Sequence, residues 1–304
     1  MKHLVLVGPT ASGKTALSIE VALRTGAEIV SADALMVYRG ADIGTAKPTA
    51  TERRGVPHHA FDLLDPWEDA DLATWLASAQ AAIARATGPV IVAGGTGLYV
   101  QALVDDFELP GTYPDVRAEL EASSEPTEAL HARLAGLDAQ AASRMEPGNR
   151  RRVIRALEVC LGSGRRFSSY GPGVDAFPPN DRFVLVGLAP DPELLRRRID
   201  RRVGEQVAAG LVEETVGLLA GGMSRTIRQA LGYKEVLQHL EHGLPLEDAL
   251  VLDAANTRRF ARRQRSWFRR DPRITWLDPG DDPLALVPAV LDAWTGRKGG
   301  PRPG

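Results

Sequence analysis

Two rhythms of hydrophobic and polar positions alternate along the chain. Residues 3–7, 28–31 and 90–93 are short, nearly continuous apolar runs. Runs of that length without a regular polar face predict strands covered on both sides. Residues 16–24, ending before Gly26, and the alanine-rich stretch 72–86, ending before Gly88 and Pro89, are helix-compatible. Strands alternating with helices predict a parallel α/β sheet. Ligands in such sheets bind beyond the carboxyl ends of the strands.

The pattern changes after residue 105. Residues 115–121, 127–134, 139–145 and 150–161 are helix-compatible and strand-poor, and residues 162–180 are rich in Gly, Ser and Pro. This reads as a helical insertion. Residues 183–188, Phe-Val-Leu-Val-Gly-Leu, return to the strand pattern. In 193–220, Leu195, Ile199, Val203, Val207 and Leu211 recur at helical spacing with arginines mostly between them, a pattern that predicts a solvated arginine face. A further helix is expected over 254–269 and a last strand over 274–277. The division expected is a core of residues 1–111 and 181–295, an insertion of 112–180, and a disordered tail of 296–304 rich in glycine, proline and basic residues.

Residues 8–15 read Gly-Pro-Thr-Ala-Ser-Gly-Lys-Thr. They match the phosphate-binding loop pattern, and they lie between a predicted strand and a predicted helix, as that chemistry requires. Backbone N–H groups and the positive helix end converge on one oxyanion site. Gly8, Pro9, Thr10, Ala11, Ser12 and Gly13 form the cradle, Lys14 adds a cation, and the Thr15 hydroxyl suits a magnesium ion. Together these predict a P-loop NTPase-like parallel sheet core flanked by helices, with an inserted α-helical domain.

Composition narrows the class further. At 44% hydrophobic and 25% charged residues, the chain has the mix of a soluble globular protein. No apolar run is long enough to span a bilayer, and the first apolar stretch ends too soon for a signal peptide. A cytoplasmic monomer is the default expectation. The single cysteine, Cys160, excludes a disulfide framework and a multi-cysteine zinc site; its place in a helical run predicts a buried thiol. A net charge of −2 conceals arginine-rich segments at 150–155, 196–202 and 258–270. Phosphate contacts are local, so such clusters suit RNA even in a near-neutral protein. His58 and His59 would point to opposite strand faces, and with no third ligand nearby they read as structural.

Four segments together resemble the tRNA dimethylallyltransferase (tRNA isopentenyltransferase) family. They are residues 8–15; Ser31-Ala32-Asp33 through Val37-Tyr38-Arg39-Gly40 to residues 42–48; Gly94-Gly95-Thr96-Gly97-Leu98-Tyr99; and 257–269 around Arg263-Gln264 and Trp267-Phe268-Arg269. The resemblance covers about residues 3–278. It implies transfer of a dimethylallyl group from dimethylallyl diphosphate to the exocyclic amine of the tRNA adenosine 3′-adjacent to the anticodon. It implies Asp33 as general base, with organisation of magnesium as its rival role. Thr96 would help hold metal or diphosphate, and Arg228 is matched to a diphosphate-contacting arginine, with a surface arginine as the alternative. Many family members have serine where this chain has Ala34.

Contacts to the tRNA anticodon stem-loop are expected from Asp33, Ala34, Leu35, Met36 and Thr96 around a flipped-out base. Further contacts are expected from Arg117, Arg151, Arg152 and Arg155 in the insertion, and from Arg258, Arg262 and Arg265 along the last long helix. The rival functions are a P-loop small-molecule kinase using ATP and an RNA-binding NTPase. Residues 33–48 and 94–99 fit the transferase pattern and have no evident kinase purpose, whereas the arginine stripes alone do not exclude the RNA-binding NTPase.

Overall fold

The computed structural model describes residues 2–171 and 173–296. Residues 297–304, most of the tail for which disorder is expected, lie outside the described residues. The chain divides into two compact units, Met1–Asp105 with Pro179–Gly304, and Asp106–Pro178.

The first unit is built on strands β1 (His3–Val7), β2 (Glu28–Ala32), β3 (His58–His59), β4 (Val90–Gly94), β5 (Phe183–Leu188) and β6 (Thr275–Leu277). They form one sheet in the order β3-β2-β4-β1-β5-β6, and every pairing is parallel. Its helices are α1 (Lys14–Thr25), α2 (Ala50–Arg53), α3 (Leu72–Arg85) and α4 (Gly97–Val104). The second unit holds α5 (Pro114–Ala122), α6 (Thr127–Leu137), α7 (Ala139–Ser143) and α8 (Arg150–Ser163). The chain then returns through α9 (Pro192–Ala208), α10 (Leu211–Gly221), α11 (Arg225–Arg228), α12 (Tyr233–His242), α13 (Leu246–Phe268) and α14 (Val287–Thr295). Among the described residues, no helix is long and apolar enough to cross a membrane.

The central strands are buried on both faces. Leu4 and Leu6 of β1 join Ile29, Ile91, Val186 and Leu188 in one core with Leu17 and Val21 of α1 and Val287, Val290 and Trp294 of α14. Adjacent registers align the strand ends, Val7 beside Gly94 and Gly94 beside Ala32. The segments after β1, β4 and β2 therefore emerge side by side at the carboxyl edge, where parallel sheets bind ligands. Helix α13 starts at Leu246, well before the expected 254, and continues there against α12. The periodic stretch 193–220 is two helices. It breaks at Gly210, whose φ of 103° lies in the left-handed region that glycine adopts without strain.

The helical unit has its own core of Leu120, Leu130, Leu134, Val153, Ile154 and Leu157. Buried Glu158 accepts hydrogen bonds from Tyr113 N at 2.9 Å and Arg155 Nη1 at 2.7 Å. Cys160 is only half-buried against this core, and burial raises its thiol pKa, so it is not poised to react.

Candidate active site

A cavity of about 1430 Å³ opens at the carboxyl edge of the sheet and is lined entirely by the first unit. The phosphate loop forms one wall. Gly13 caps α1 with φ 89°, and a Cβ there would strike the ring of Pro283, so this position needs glycine for both conformation and space. Ser12 is fully buried and Ala11 has φ 60°, a strained value for a non-glycine residue in a tight loop. Lys14 Nζ turns back on Pro9 O at 2.6 Å. Its pKa is pushed down to about 7, chiefly by burial and then by the charge of Arg202, with Asp33 opposing. Thr15 sits exposed on the cavity wall.

Asp33 follows β2 directly. Its Oδ1 accepts a hydrogen bond from Leu35 N at 2.9 Å, which fixes the carboxyl in an Asx turn. Oδ2 has no hydrogen-bond partner among the described residues. Thr96 ties this turn to the segment after β4, because its Oγ1 accepts from Ala34 N at 3.1 Å while its N donates to Ala32 O at 3.1 Å. Thr96 thus holds Asp33 in place and lines the cavity. Ala34 contributes through its backbone, so the missing serine hydroxyl does not loosen the turn. Below it, Trp75 stacks on Tyr99 at 4.6 Å and donates Nε1–H to Ser31 O at 2.7 Å. Leu35 and Met36 are half-buried on the cavity wall.

Two of the sequence motifs prove to be one structure. Gln264 accepts from Thr10 N at 2.8 Å and donates to Gly95 O at 3.0 Å, bridging the phosphate loop to the segment after β4. A Cβ on Gly95 would overlap the Gln264 amide, and one on Gly97 would overlap the Trp267 indole. Gly95 and Gly97 therefore make room for α13, while Gly94 makes room for the Ala32 backbone of β2.

Residues 42–48 are also internal scaffolding. Glu214 accepts from Asp42 N, Ile43 N and Gly44 N at 2.9, 2.8 and 3.0 Å and from Tyr233 OH at 2.6 Å. Lys47 is buried and clipped to Tyr38 O, Asp42 and Asp62. A Glu214→Ala protein should lose about 1–3 kcal/mol of stability in urea unfolding, since several donors lose one shared acceptor. An unchanged midpoint and slope would contradict this role.

The arginines are where sequence and structure part. Arg228 does not reach the cavity: its Nη2 donates to both carboxylate oxygens of Glu241 on α12, at 2.7 and 2.6 Å, and it is absent from the cavity lining. Cations on the cavity wall include arginines of α9, whose arginine cluster the sequence places on a solvated face. Arg202 Nη1 donates to Thr10 Oγ1 at 3.3 Å, and Arg198 also lines the cavity. Burial lowers the Arg202 pKa while Asp33, Asp253 and Glu205 oppose; a guanidinium still keeps its charge at neutral pH. Asp253, whose carboxyl is pushed up to about 6 by burial and then by Glu235, also lines the cavity, and the sequence did not single it out.

The RNA candidates divide as well. Arg155 donates to Pro110 O, Gly111 O and Glu158, and Arg117 pairs with Glu121 and Glu158. Arg258 pairs with Asp200. These three are engaged inside their own units. Arg151, Arg152 and Arg262 are exposed and Arg265 is half-exposed, none with an ion-pair partner among the described residues. His59 pairs with Glu28 at 2.6 Å and His58 stacks on Phe61, and no metal-sized cluster of His, Cys, Asp and Glu occurs among the described residues.

Cations that converge on a loop of backbone donors suit a ligand bearing several negative charges. The protein is thus a phosphate-loop α/β enzyme whose cavity also places a carboxylate beside the phosphate seat. Sequence profiles described as IPP transferase and isopentenyl transferase match residues 36–271 and 1–59. The chain is 47% identical to a tRNA dimethylallyltransferase of Kineococcus radiotolerans, over 95% of each chain. It is 45% identical to that of Mycolicibacterium smegmatis, over 96% of this chain and 98% of the other. A tRNA isopentenylpyrophosphate transferase structure from Bacillus halodurans superposes with TM-score 0.69 at 37% identity, covering 96% of each chain. A eukaryotic dimethylallyltransferase acting on tRNA superposes with TM-score 0.80 at 26% identity, over 99% of this chain and 81% of that one. The chain belongs to the IPP transferase family.

Proposed function

We propose that the protein transfers the dimethylallyl group of dimethylallyl diphosphate to the exocyclic amine of the tRNA adenosine 3′-adjacent to the anticodon, releasing diphosphate. The observation that carries this reading is one cavity joining a cationic phosphate seat to Asp33. The tRNA-directed names of the relatives support the same reading.

The adenine amine is a weak nucleophile because its lone pair is delocalised into the ring. Asp33 accepts its proton as the C–N bond forms. The allylic C–O bond breaks, and the bonding pair leaves with the diphosphate. Backbone N–H groups of Ala11 and of residues 13–15, with Lys14 and Arg202, face the charge that grows on that leaving group, where fixed donors act most strongly. This role for Arg202 takes the place of the one expected for Arg228. Leu35 and Met36 offer apolar surface to the base.

Magnesium fits the seat by donor chemistry: the Thr15 hydroxyl and diphosphate oxygens are hard ligands, and magnesium needs few protein groups. When bound, it would neutralise part of the leaving-group charge. Of the expected RNA contacts, Arg151, Arg152, Arg262 and Arg265 are available to meet RNA phosphates, with the protein acting as a cytoplasmic monomer. A kinase reading has the same loop but gives no purpose to Asp33, and the relatives do not favour it.

The test is transfer of label from dimethylallyl diphosphate to unmodified tRNA in the presence of magnesium. Label in tRNA, absent when the target adenosine is replaced, is the expected result. Phosphate transfer from ATP to a small molecule with no labelled tRNA would overturn it.

A further inference from the structure

Helix α9 turns one stripe into the cavity. Arg198 and Arg202, one helical turn apart, both line it, and Gln206, one turn further, donates to Ile43 O at 2.7 Å and Gly44 O at 3.0 Å. Arg202 is anchored on the phosphate loop through Thr10. Arg198 is anchored elsewhere: its Nη2 donates to Gly280 O at 2.8 Å and Asp281 O at 2.9 Å. That segment adjoins the phosphate loop, because Pro283 fills the space against Gly13. Arg198 Nη1 is buried and has no hydrogen-bond partner among the described residues.

A buried guanidinium N–H without an acceptor is costly unless something supplies one. Here the side chain is already fixed at its other nitrogen, so an oxyanion arriving at Nη1 meets an oriented donor with little rotamer freedom left to lose. Lys14 and Arg202 are fixed on the phosphate loop itself, whereas Arg198 is held one helical turn away by Gly280 and Asp281. We infer that Arg198 binds the terminal phosphoryl group of the donor, so that the site requires a diphosphate and holds a monophosphate poorly. This rests on the proposed function and deepens it, by assigning the terminal phosphate to a residue on α9 and to the carbonyls of Gly280 and Asp281 that aim it.

Binding of inorganic pyrophosphate and of orthophosphate to the full chain, followed by calorimetry, tests this with Arg198→Ala and Arg198→Lys. A charge-assisted hydrogen bond predicts a loss of about ten- to a hundredfold in pyrophosphate affinity for Arg198→Ala. Orthophosphate affinity should change less than about twofold, and Arg198→Lys should recover part of the loss. The KM for dimethylallyl diphosphate should rise in parallel. Pyrophosphate affinity within about twofold of wild type would overturn the assignment. So would an equal loss for both anions with a lower Tm, because that describes a support of the loop and not a ligand. Absence of pyrophosphate binding by the wild-type protein would instead sink the donor reading itself, which separates the two failures.

Discussion

An Asp33→Asn protein is expected to transfer the dimethylallyl group about 10²- to 10⁴-fold more slowly than wild type while folding normally. Asparagine keeps an oxygen for Leu35 N, so the turn that Asp33 Oδ1 stabilises survives. Only the proton-accepting charge is lost. Asp33 also supports the positive charge of Lys14 and Arg202, so at a pH well below the Lys14 titration, where both stay charged, removing its carboxylate only removes a repulsion on the diphosphate. Donor affinity should therefore hold or tighten as the rate falls. Single-turnover transfer at saturating donor and tRNA, paired with calorimetric donor binding, separates the two effects. A base role predicts a defect that raised magnesium does not relieve. Recovery of most of the rate at high magnesium would assign Asp33 to organising the metal.

The parts legible in the sequence are those fixed by local pattern. Residues 3–7 read as a strand because the run is short and wholly apolar. Residues 8–15 declare their ligand because the glycines, Lys14 and the flanking elements must occur together for the loop to close. The glycines of 94–97 were visible, but not their purpose: Gly95 and Gly97 make space for Gln264 and Trp267, about 170 residues later. Long-range packing also hid the arginines. Arg198 and Arg202 alternate with Leu195, Ile199 and Val203, and any amphipathic helix of that pattern reads as core on one side and solvent on the other. Whether the polar side meets water or a cavity depends on the packing of α9 against α13 and the Ile43–Gly44 carbonyls. Arg228 lies off the cavity lining for the converse reason. Its local motif survives, but Glu241, on the next helix, claims the guanidinium. Arg155 and Arg258 likewise meet acceptors that no count of arginines reveals.

Lys14→Ala carries the second large expectation, a fall of about 10²- to 10³-fold in kcat/KM for the donor, as for the loss of one fixed donor to a developing oxyanion. The titration of Lys14 adds a sign that a merely structural lysine lacks. In the free protein its pKa is about 7, because burial disfavours the ammonium and Arg202 repels it. A bound diphosphate sets negative charge against Nζ and raises that pKa. Binding above pH 7 must therefore take up a proton, and donor affinity falls by up to tenfold per pH unit in that range. Below pH 7 the ammonium is already formed, and Lys14 imposes no slope. Calorimetry with a non-reacting donor analogue on either side of pH 7, in buffers of different ionisation enthalpy, reads both affinity and proton uptake. Lys14→Ala should show weaker binding with the slope gone. Lys14→Arg, charged throughout, should lose the slope while keeping part of the affinity. A wild-type slope that persists unchanged in both variants would place the titrating group elsewhere, with the Asp253 carboxyl, at about 6, the next group to examine.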